Sequence, residues 1–301
     1  MESEPFIPVG VEELEQLAMK LKEDLPLSSY VYNMMLHHAR KYADKVDFFI
    51  LKNSPDSHIV LWKNKDNQMA LGIHCLEKEV SLLEESLKNT KEIDFKKSLC
   101  IFHAPDFFVN LLMDLGKEAL GTDMTKDSSD DFIFDENQQL PPLMCPAGFA
   151  VKSLGKAGLE IMHSNWRYKV CVPLEEALQV AKNTAALGIY ADANLKVEYE
   201  VNIANIPMAK DDEIPKSWIC ATLHGTVGML MTDENYRGRG FAKLLSQVCA
   251  KMMHDKGYFV HTCVERDMPD VKRLYENLPG WSINRQVTWI WQGCDDNAKK
   301  E

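Results

Sequence analysis

The segment ENYRGRGFAKLL (residues 234–245) joins a predicted β-strand to a predicted amphipathic helix, Phe241 to Asp255. It places two arginines, two glycines and a lysine within seven residues, from Arg237 to Lys243. The whole chain has 301 residues and a formal net charge of −11. Because the acidic background does not explain a locally basic loop, this turn is the first place to look for a binding site.

A strand–loop–helix turn of this kind is suited to a phosphate group. The N-terminus of a helix leaves backbone N–H groups without intrahelical acceptors, and the helix dipole favours an anion there. Gly238 and Gly240 lack the Cβ atoms that would keep a phosphate away from the backbone. Arg237, Arg239 and Lys243 add positive charge. We therefore predict a nucleotide-type ligand here, with a solvated turn as the alternative.

The two halves of the chain repeat one order of predicted elements: helices, strands, a helix, a strand, a helix and a strand. The repeats lie about 150 residues apart, the length of one ordinary domain. Strands joined by a helix favour parallel pairing, and hairpins favour antiparallel pairing. We predict an α+β protein with two tandem domains, residues 1–145 and 146–301, each a mixed, mostly antiparallel sheet flanked by helices. Two unrelated α+β domains are the alternative.

The corresponding turn of the first half has different chemistry. It reads HCLEKEV (residues 74–80), contains no glycine, and carries Glu77 and Glu79, which would repel an anion. One nucleotide-type site is therefore expected in the second half and none in the first. The polar stretch from Gly121 to Asp131 is predicted to be a loop, and LPPLMCP (residues 140–146) to be a linker.

Composition narrows the classes of function. General nucleic-acid binding neutralises phosphates with many lysines and arginines, so an acidic chain argues against it. The N-terminus lacks the basic start and apolar run of a secretory signal, and no window approaches the roughly 18 apolar residues of a membrane span. The eight cysteines show no CxxC spacing. We expect reduced thiols, no metal, no nucleic-acid or membrane partner, and an intracellular location, cytoplasmic or mitochondrial; the oligomeric state is left open.

The pattern Arg237-x-x-Gly240-x-Ala242 after a strand resembles the pyrophosphate loop of the GNAT N-acetyltransferase superfamily. A longer segment, PKSWICATLHGTVGMLMTDENYRGRGFA (residues 215–242), resembles the glycine N-acyltransferase family. That family has a Pro-x-Ser-Trp strand, a glycine turn, a methionine-bearing strand and a Tyr-Arg-x-x-Gly loop at the same intervals. The resemblance covers most of residues 160–282 and is weak over the first 145. It implies two GNAT-like domains, the first degenerate and the second binding acyl-CoA or acetyl-CoA as co-substrate.

The resemblance also implies which residues hold the coenzyme. Superfamily members splay two strands beside this loop, so backbone groups of a strand edge stay available to the pantetheine amides, as in β-augmentation. The side chains of the strand's two methionines are expected to pack in the core. The implied coenzyme-binding residues are Met229, Leu230, Met231, Thr232, Arg237, Gly238, Arg239, Gly240, Phe241 and Ala242.

Acyl transfer to an amine requires a neutral amine, a polarised thioester carbonyl and a proton for the departing thiolate. Tyr275, in RLYENLPGW (residues 273–281), is the candidate acid, with aromatic packing under the last helix as the alternative. Thr226 stands where the family has a glutamate base, and threonine cannot take up a proton at neutral pH. His261 is the candidate base, with a structural role or an ordered water as alternatives. His224, in the hairpin turn, is expected to be solvated.

Three functions stay open at this point. The favoured one is an acyl-CoA-dependent N-acyltransferase that transfers the acyl group to a small amine or amino acid by direct attack in a ternary complex. The second is a CoA-binding GNAT-like protein that has lost catalysis, which Thr226 indicates. The third is a protein N-acetyltransferase whose acidic surface receives basic peptides.

Overall fold

The computed structural model describes residues 4–65, 70–167, 169, 174–222 and 224–293. The chain divides into two compact units. Each has a sheet flanked by helices, which confirms the predicted mixed α+β class. The first stretch of the first unit ends at Asp131 in this division, whereas the sequence predicts a domain boundary at residue 145. The first unit is Met1–Asp131, Glu265–Asp267 and Asn284–Glu301, and the second is Phe132–Val264 and Met268–Ile283.

The first unit contains a sheet in the strand order β1-β2-β3-β4-β5-β14-β6. Its described elements, of which β6 and β14 extend across the boundary, are β1 (Phe6–Pro8), α1 (Leu14–Leu21), α2 (Ser29–Ala39), β2 (Val46–Leu51), β3 (Val60–Asn64), β4 (Ala70–His74), α3 (Val80–Asn89), β5 (Leu99–Pro105), α4 (Asp106–Leu120), β6 (Thr125–Phe134) and β14 (Trp281–Gln292).

Local sequence explains how these elements begin and end. Pro105 precedes the first residue of α4, where its missing N–H costs no helical hydrogen bond. The same helix ends at Gly121, which adopts a left-handed φ of 73° and donates its N–H to Lys117 O at 2.8 Å. As predicted for strands joined by a helix, β4 and β5 pair in parallel, from Ala70–Cys100 to Gly72–Phe102.

The predicted loop from Gly121 to Asp131 is wrong from Thr125 onward. The sequence predicts only a brief strand over Asp131–Phe134, and the structure extends that strand back to Thr125 as β6. Its last charged residue, Asp131, is completely buried, and a buried carboxylate needs polar partners. Asn284 Nδ2 donates to Asp131 Oδ2 at 3.2 Å, and Arg285 Nε lies 3.8 Å from the same oxygen. Strand β14 is continuous over Trp281–Gln292, whereas the sequence alone predicts two strand fragments there, 282–284 and 287–292.

A partly buried carboxylate–histidine cluster also lies in the first unit. Asp24 Oδ2 accepts hydrogen bonds from His58 Nδ1 at 2.5 Å and from His74 Nε2 at 3.0 Å. Burial alone raises the pKa of Asp24, but the hydrogen bonds from the two imidazoles outweigh it and the pKa falls below its usual value. Burial lowers the pKa of His74, and likewise that of His38 on α2.

The lowered pKa values of His74 and His38 predict that the protein is less stable in acid. An imidazole with a lowered folded-state pKa binds fewer protons than in the unfolded chain, so its contribution is complete above about pH 6.5 and is lost below it. We expect the free energy of unfolding to fall between about pH 6.5 and 5.5, by at most about 1.4 kcal/mol per histidine. Urea unfolding across this range measures the slope. His38→Gln should reduce the slope, and an unchanged slope would contradict this origin.

The second unit contains a four-stranded sheet in the order β12-β11-β9-β8 and a two-stranded sheet of β10 and β7. Its described elements are β7 (Met144–Cys145), β8 (Phe149–Ser153), α5 (Lys156–Ser164), α6 (Leu174–Asn183), β9 (Ala186–Ala191), β10 (Tyr199–Glu200), β11 (Ser217–Ala221), β12 (Val227–Thr232), α7 (Phe241–Asp255), β13 (His261–Glu265), α8 (Pro269–Glu276) and the start of β14.

The element order of the first unit recurs here as predicted, with α7 and α8 in the places of α3 and α4. One difference matters for the site. The strands joined by α7, β12 and β13, do not pair with each other, because β13 lies beside the end of β6, where Phe134 N–H donates to Val260 O at 3.0 Å. Strand β12 is therefore the outermost strand of its sheet.

Other sequence expectations have mixed outcomes. The alternating segment LKVEYEVNI (residues 195–203) predicts a strand, but it forms strand only at Tyr199–Glu200. The linker prediction at 140–146 contains the short strand β7. Six cysteines are free thiols, as expected, whereas Cys171 and Cys294 lie outside the described residues. Within the described part of the chain, no helix combines the length and apolarity needed to cross a bilayer.

Candidate functional site

Strand β12 contains a β-bulge at its centre. Trp218 of β11 pairs with Met231 and Cys220 pairs with Gly228, so Met229 and Leu230 together face a single residue of β11. Met229 has a left-handed φ of 53°, which is uncommon for a residue with a side chain. A bulge bends the strand and interrupts its hydrogen-bond ladder, and backbone outliers of this kind concentrate at functional sites.

The side chains of β12 are only partly covered. Met229 packs against the core cluster of the second unit, with its Sδ 3.4 Å from Cys220 Sγ, as predicted. Met231 is 36% exposed, so its predicted core packing is wrong. Ser217 Oγ donates to Met231 O at 3.0 Å and fixes the strand to β11 where it enters the loop. The strand therefore presents a partly open, outermost edge next to the glycine loop.

The loop between β12 and α7 requires its two glycines. Gly238 has a φ of 76° and Gly240 a φ of 79°, in the left-handed region that glycine adopts at little cost. No heavy atom outside the adjoining residues lies within 4 Å of the position that a Cβ atom would occupy at either glycine. Both glycines are exposed. The loop thus combines left-handed backbone with open space beside it, and a ligand can approach the peptide groups.

The loop ends at the first residue of α7, and the helix runs over Phe241–Asp255 as predicted. Leu244 N–H donates to Gly240 O at 3.0 Å, so the N–H groups of Phe241, Ala242 and Lys243 precede the helical hydrogen-bond series. The Phe241 ring is buried and lies 4.8 Å from the Phe149 ring, which anchors the start of the helix. These N–H groups and the helix dipole together favour the binding of an anion at the start of α7.

The three cations of the loop have different surroundings. Arg237 Nε donates to Thr232 O at 3.3 Å and its Nη2 lies 3.7 Å from Glu234 Oε1, so this arginine ties the loop to β12. Arg239 and Lys243 form no ion pair with any described residue. In a protein of net charge −11, two such cations beside open N–H groups favour an anionic ligand.

Tyr275, the candidate acid, lies on α8 and is 2% exposed. Its ring centroid is 4.8 Å from that of Trp281 and 5.7 Å from that of Phe132, so the ring packs as the alternative interpretation predicted. Its hydroxyl lies 3.5 Å from Ser246 Oγ on α7. Burial raises the pKa of Tyr275 to about 12, so the phenol keeps its proton at neutral pH. A protonated phenol is compatible with an acid, and the catalytic role stays a prediction.

His261, the candidate base, has no exposed surface on β13. Its ring lies 6.4 Å from that of Phe259. A base must reach the amine that it deprotonates, so complete burial favours the structural role that was the alternative. His224 is only 7% exposed, which makes the prediction of a solvated turn histidine wrong.

Thr226, at the position of the family's glutamate, is also enclosed. It is 8% exposed, and its Oγ1 lies 2.6 Å from Thr222 Oγ1. Thr222 N–H also donates to Thr226 O at 2.8 Å, which closes the β11–β12 turn. Thr226 therefore has a structural role in this turn and supplies no base.

Sequence reasoning missed the aromatic support of the loop. The Tyr236 and Phe149 rings lie 6.0 Å apart edge to face, and the Arg239 guanidinium lies 5.3 Å and 5.8 Å from their centroids. Tyr236 belongs to the loop motif, but Phe149 precedes the loop by most of a domain. No local pattern joins two residues so far apart in sequence, so only the fold could reveal their contact.

The bulged outer strand, the glycine loop and the helix N-terminus are continuous in sequence, and this segment carries the family match. Residues 214–290 match the FR47-like protein family. The match runs from just before β11 to near the end of β14 and contains every predicted coenzyme-binding residue. No curated protein sequence is significantly similar to the chain.

Solved structures show the same fold over the whole chain. A Drosophila protein of 14% identity covers 96% of this chain and 98% of its own, with a TM-score of 0.74. A GCN5-related N-acetyltransferase from Sphaerobacter thermophilus, 11% identical, covers 97% of this chain and 96% of its own, with a TM-score of 0.54. The chain therefore has the fold of GCN5-related, or GNAT, acetyltransferases.

Proposed function

We propose that this chain is an N-acyltransferase that uses acyl-CoA or acetyl-CoA as co-substrate and a small amine or amino acid as acceptor. The observation that carries the proposal is the continuous path from the bulged edge of β12, through the loop at Gly238 and Gly240, to the N-terminus of α7. One extended ligand with amide groups at one end and a diphosphate at the other suits this path, and coenzyme A has that chemistry.

The assignment of the coenzyme follows the donors along the path. The backbone of Met229–Thr232 would pair with the pantetheine amides, because this strand has no neighbour on its outer side among the described residues. The N–H groups of Gly238–Ala242 would hold the diphosphate. Hydrogen bonds from these groups to a charged phosphate are stronger than hydrogen bonds between neutral groups. Arg237 closes the loop onto the strand, so its contribution is mainly to the loop's conformation.

The reaction at the thioester is a direct acyl transfer. The neutral amine nitrogen attacks the thioester carbonyl carbon, the new C–N bond forms and the C–S bond breaks. The amine loses one proton and the departing CoA thiolate gains one, so the products are an amide and free CoA. Tyr275 is the proposed proton donor to sulfur, because the resemblance to the GNAT superfamily implies this role and its phenol stays protonated at neutral pH. Since Tyr275 is only 2% exposed, the proposal requires the coenzyme sulfur to reach its hydroxyl in the complex.

The role of Tyr275 can be tested by removing only its hydroxyl. If the phenol protonates the thiolate, Tyr275→Phe should lower the rate of CoA release by about a hundredfold or more with an unchanged melting temperature. The ring contacts to Trp281 and Phe132 are preserved in this variant, so folding acts as the internal control. Release at the wild-type rate would assign Tyr275 to packing alone.

The proposed function itself is tested by calorimetric titration of the wild-type protein with CoA and acetyl-CoA. Binding of either supports the coenzyme site, and CoA release in the presence of a panel of amines and amino acids, glycine included, supports transfer. No heat and no thermal shift with either coenzyme would remove the proposal.

The enclosed Thr226 favours one second candidate, a CoA-binding protein of this fold without catalysis. That candidate predicts coenzyme binding with no CoA release for any amine in the panel. Rapid release with a single amine would exclude it, and would also show that no glutamate at this position is required.

A further inference from the structure

Arg239 is the loop cation best prepared to bind a ligand. Its guanidinium lies over two rings, 5.3 Å from the Tyr236 centroid and 5.8 Å from the Phe149 centroid. Such cation–π contacts orient the side chain without using its hydrogen-bond donors. Phe149 is itself fixed by its 4.8 Å contact with the buried Phe241 ring. Arg239 is therefore exposed to solvent, while its guanidinium is held in place by the rings of Tyr236 and Phe149.

A second cation shares this support. Lys216 Nζ lies 5.4 Å from the Tyr236 centroid, so two positive groups use one ring. Both cations lie within 5.4 Å of the Tyr236 centroid, which concentrates positive charge beside the loop and favours an anionic ligand there. Since no described carboxylate pairs with Arg239, the neutralising anion is expected to come from a ligand.

The donors of the loop cannot account for all the charge of coenzyme A. Its diphosphate would be held by the backbone N–H groups of residues 238–242, and the helix dipole supplies the equivalent of about half a positive charge there. The ribose carries a further phosphate on its 3′ carbon, one sugar away from the diphosphate. A side-chain cation close to the loop, separate from the backbone N–H groups, would neutralise that phosphate.

We propose that Arg239, positioned by the rings of Tyr236 and Phe149, binds the ribose 3′-phosphate and makes the site selective for CoA over 3′-dephospho-CoA. This inference rests on the proposed coenzyme site. Planar guanidinium groups bind phosphate through two parallel hydrogen bonds, and Arg239 has its donors available for that contact. Phe149 and Tyr236 act as positioning residues.

Calorimetric titration with CoA and with 3′-dephospho-CoA tests the selectivity. The wild-type protein should bind CoA about tenfold more tightly than 3′-dephospho-CoA. Arg239→Gln should remove this preference, because it should weaken the binding of CoA about tenfold more than the binding of 3′-dephospho-CoA. The matched control is Arg273→Gln on α8, which removes an exposed arginine from the same unit and should keep the full preference.

The positioning role has its own readout. Phe149→Leu and Tyr236→Leu should reduce the preference for CoA while 3′-dephospho-CoA still binds, whereas a purely structural defect would weaken both ligands equally. Thermal unfolding of each variant verifies that the fold is kept.

The outcomes separate this inference from the proposed function. If neither coenzyme binds to the wild-type protein, the coenzyme site itself is wrong. If both bind with equal affinity, or if Arg239→Gln retains the preference, the assignment of Arg239 is wrong and the coenzyme site stands. Loss of the preference in Lys243→Gln instead of Arg239→Gln would transfer the role to Lys243.

Discussion

Gly240→Ala is expected to weaken binding of CoA by about a hundredfold. The added methyl group meets no heavy atom within 4 Å in the free protein, so the steric conflict arises only when a phosphate occupies the loop. Displacing the diphosphate from several backbone donors sacrifices charge-assisted hydrogen bonds worth about 1.5–3 kcal/mol each. Titration of the variant with CoA measures the loss.

Gly121→Ala provides the matched control for this substitution. Gly121 has a φ of 73°, close to the 79° of Gly240, and also has no heavy atom within 4 Å of a Cβ position. Both variants should lose about 1–2 kcal/mol of stability through the left-handed backbone. Only Gly240→Ala should lose coenzyme affinity. Equal affinities in the two variants would place the diphosphate somewhere other than this loop.

The largest expected effect on stability comes from Gly72 of β4. Gly72 lies directly opposite Trp62 of β3, and a Cβ atom at residue 72 would lie 2.4 Å from Trp62 Nε1 and 2.6 Å from Trp62 Cε2. Trp62 is 1% exposed, so its indole has little room to move. Gly72→Val should lower the free energy of unfolding by about 3 kcal/mol, as measured by urea denaturation.

A double-mutant cycle identifies the cause of that loss. If the indole is the obstacle, Gly72→Val should cost much less when Trp62→Leu has already made room for it. Additive effects of the two substitutions would mean that the loss arises from the backbone of β4 rather than from the indole.

The sequence predicts those parts of the fold whose signal is local. Helix α7 has the predicted bounds because its buried residues recur with helical spacing and Gly240 precedes its first turn. The hairpin of β11 and β12 is likewise specified by two short apolar runs around a glycine turn. Charge and glycine content also located the loop, since both are readable within a few residues.

The parts that could not be predicted depend on partners distant in sequence. Strand β6 contains buried aspartates that resemble loop residues in composition, and the partners of Asp131 come from β14. Met231 is apolar, yet it is exposed because β13 pairs elsewhere and leaves β12 outermost. The contact between Phe149 and Tyr236 also depends on residues distant in sequence. The sequence therefore identifies Arg239 as a cation but does not reveal that its guanidinium lies over these two rings.

The unpaired side of β12 also bears on how the protein behaves in concentrated solution. An outermost strand with available peptide groups can pair with the same strand of another molecule, which is a common start of aggregation. A coenzyme lying along β12 would occupy those peptide groups. We therefore expect purified protein to self-associate less when CoA is present, and light scattering with and without CoA would measure the difference.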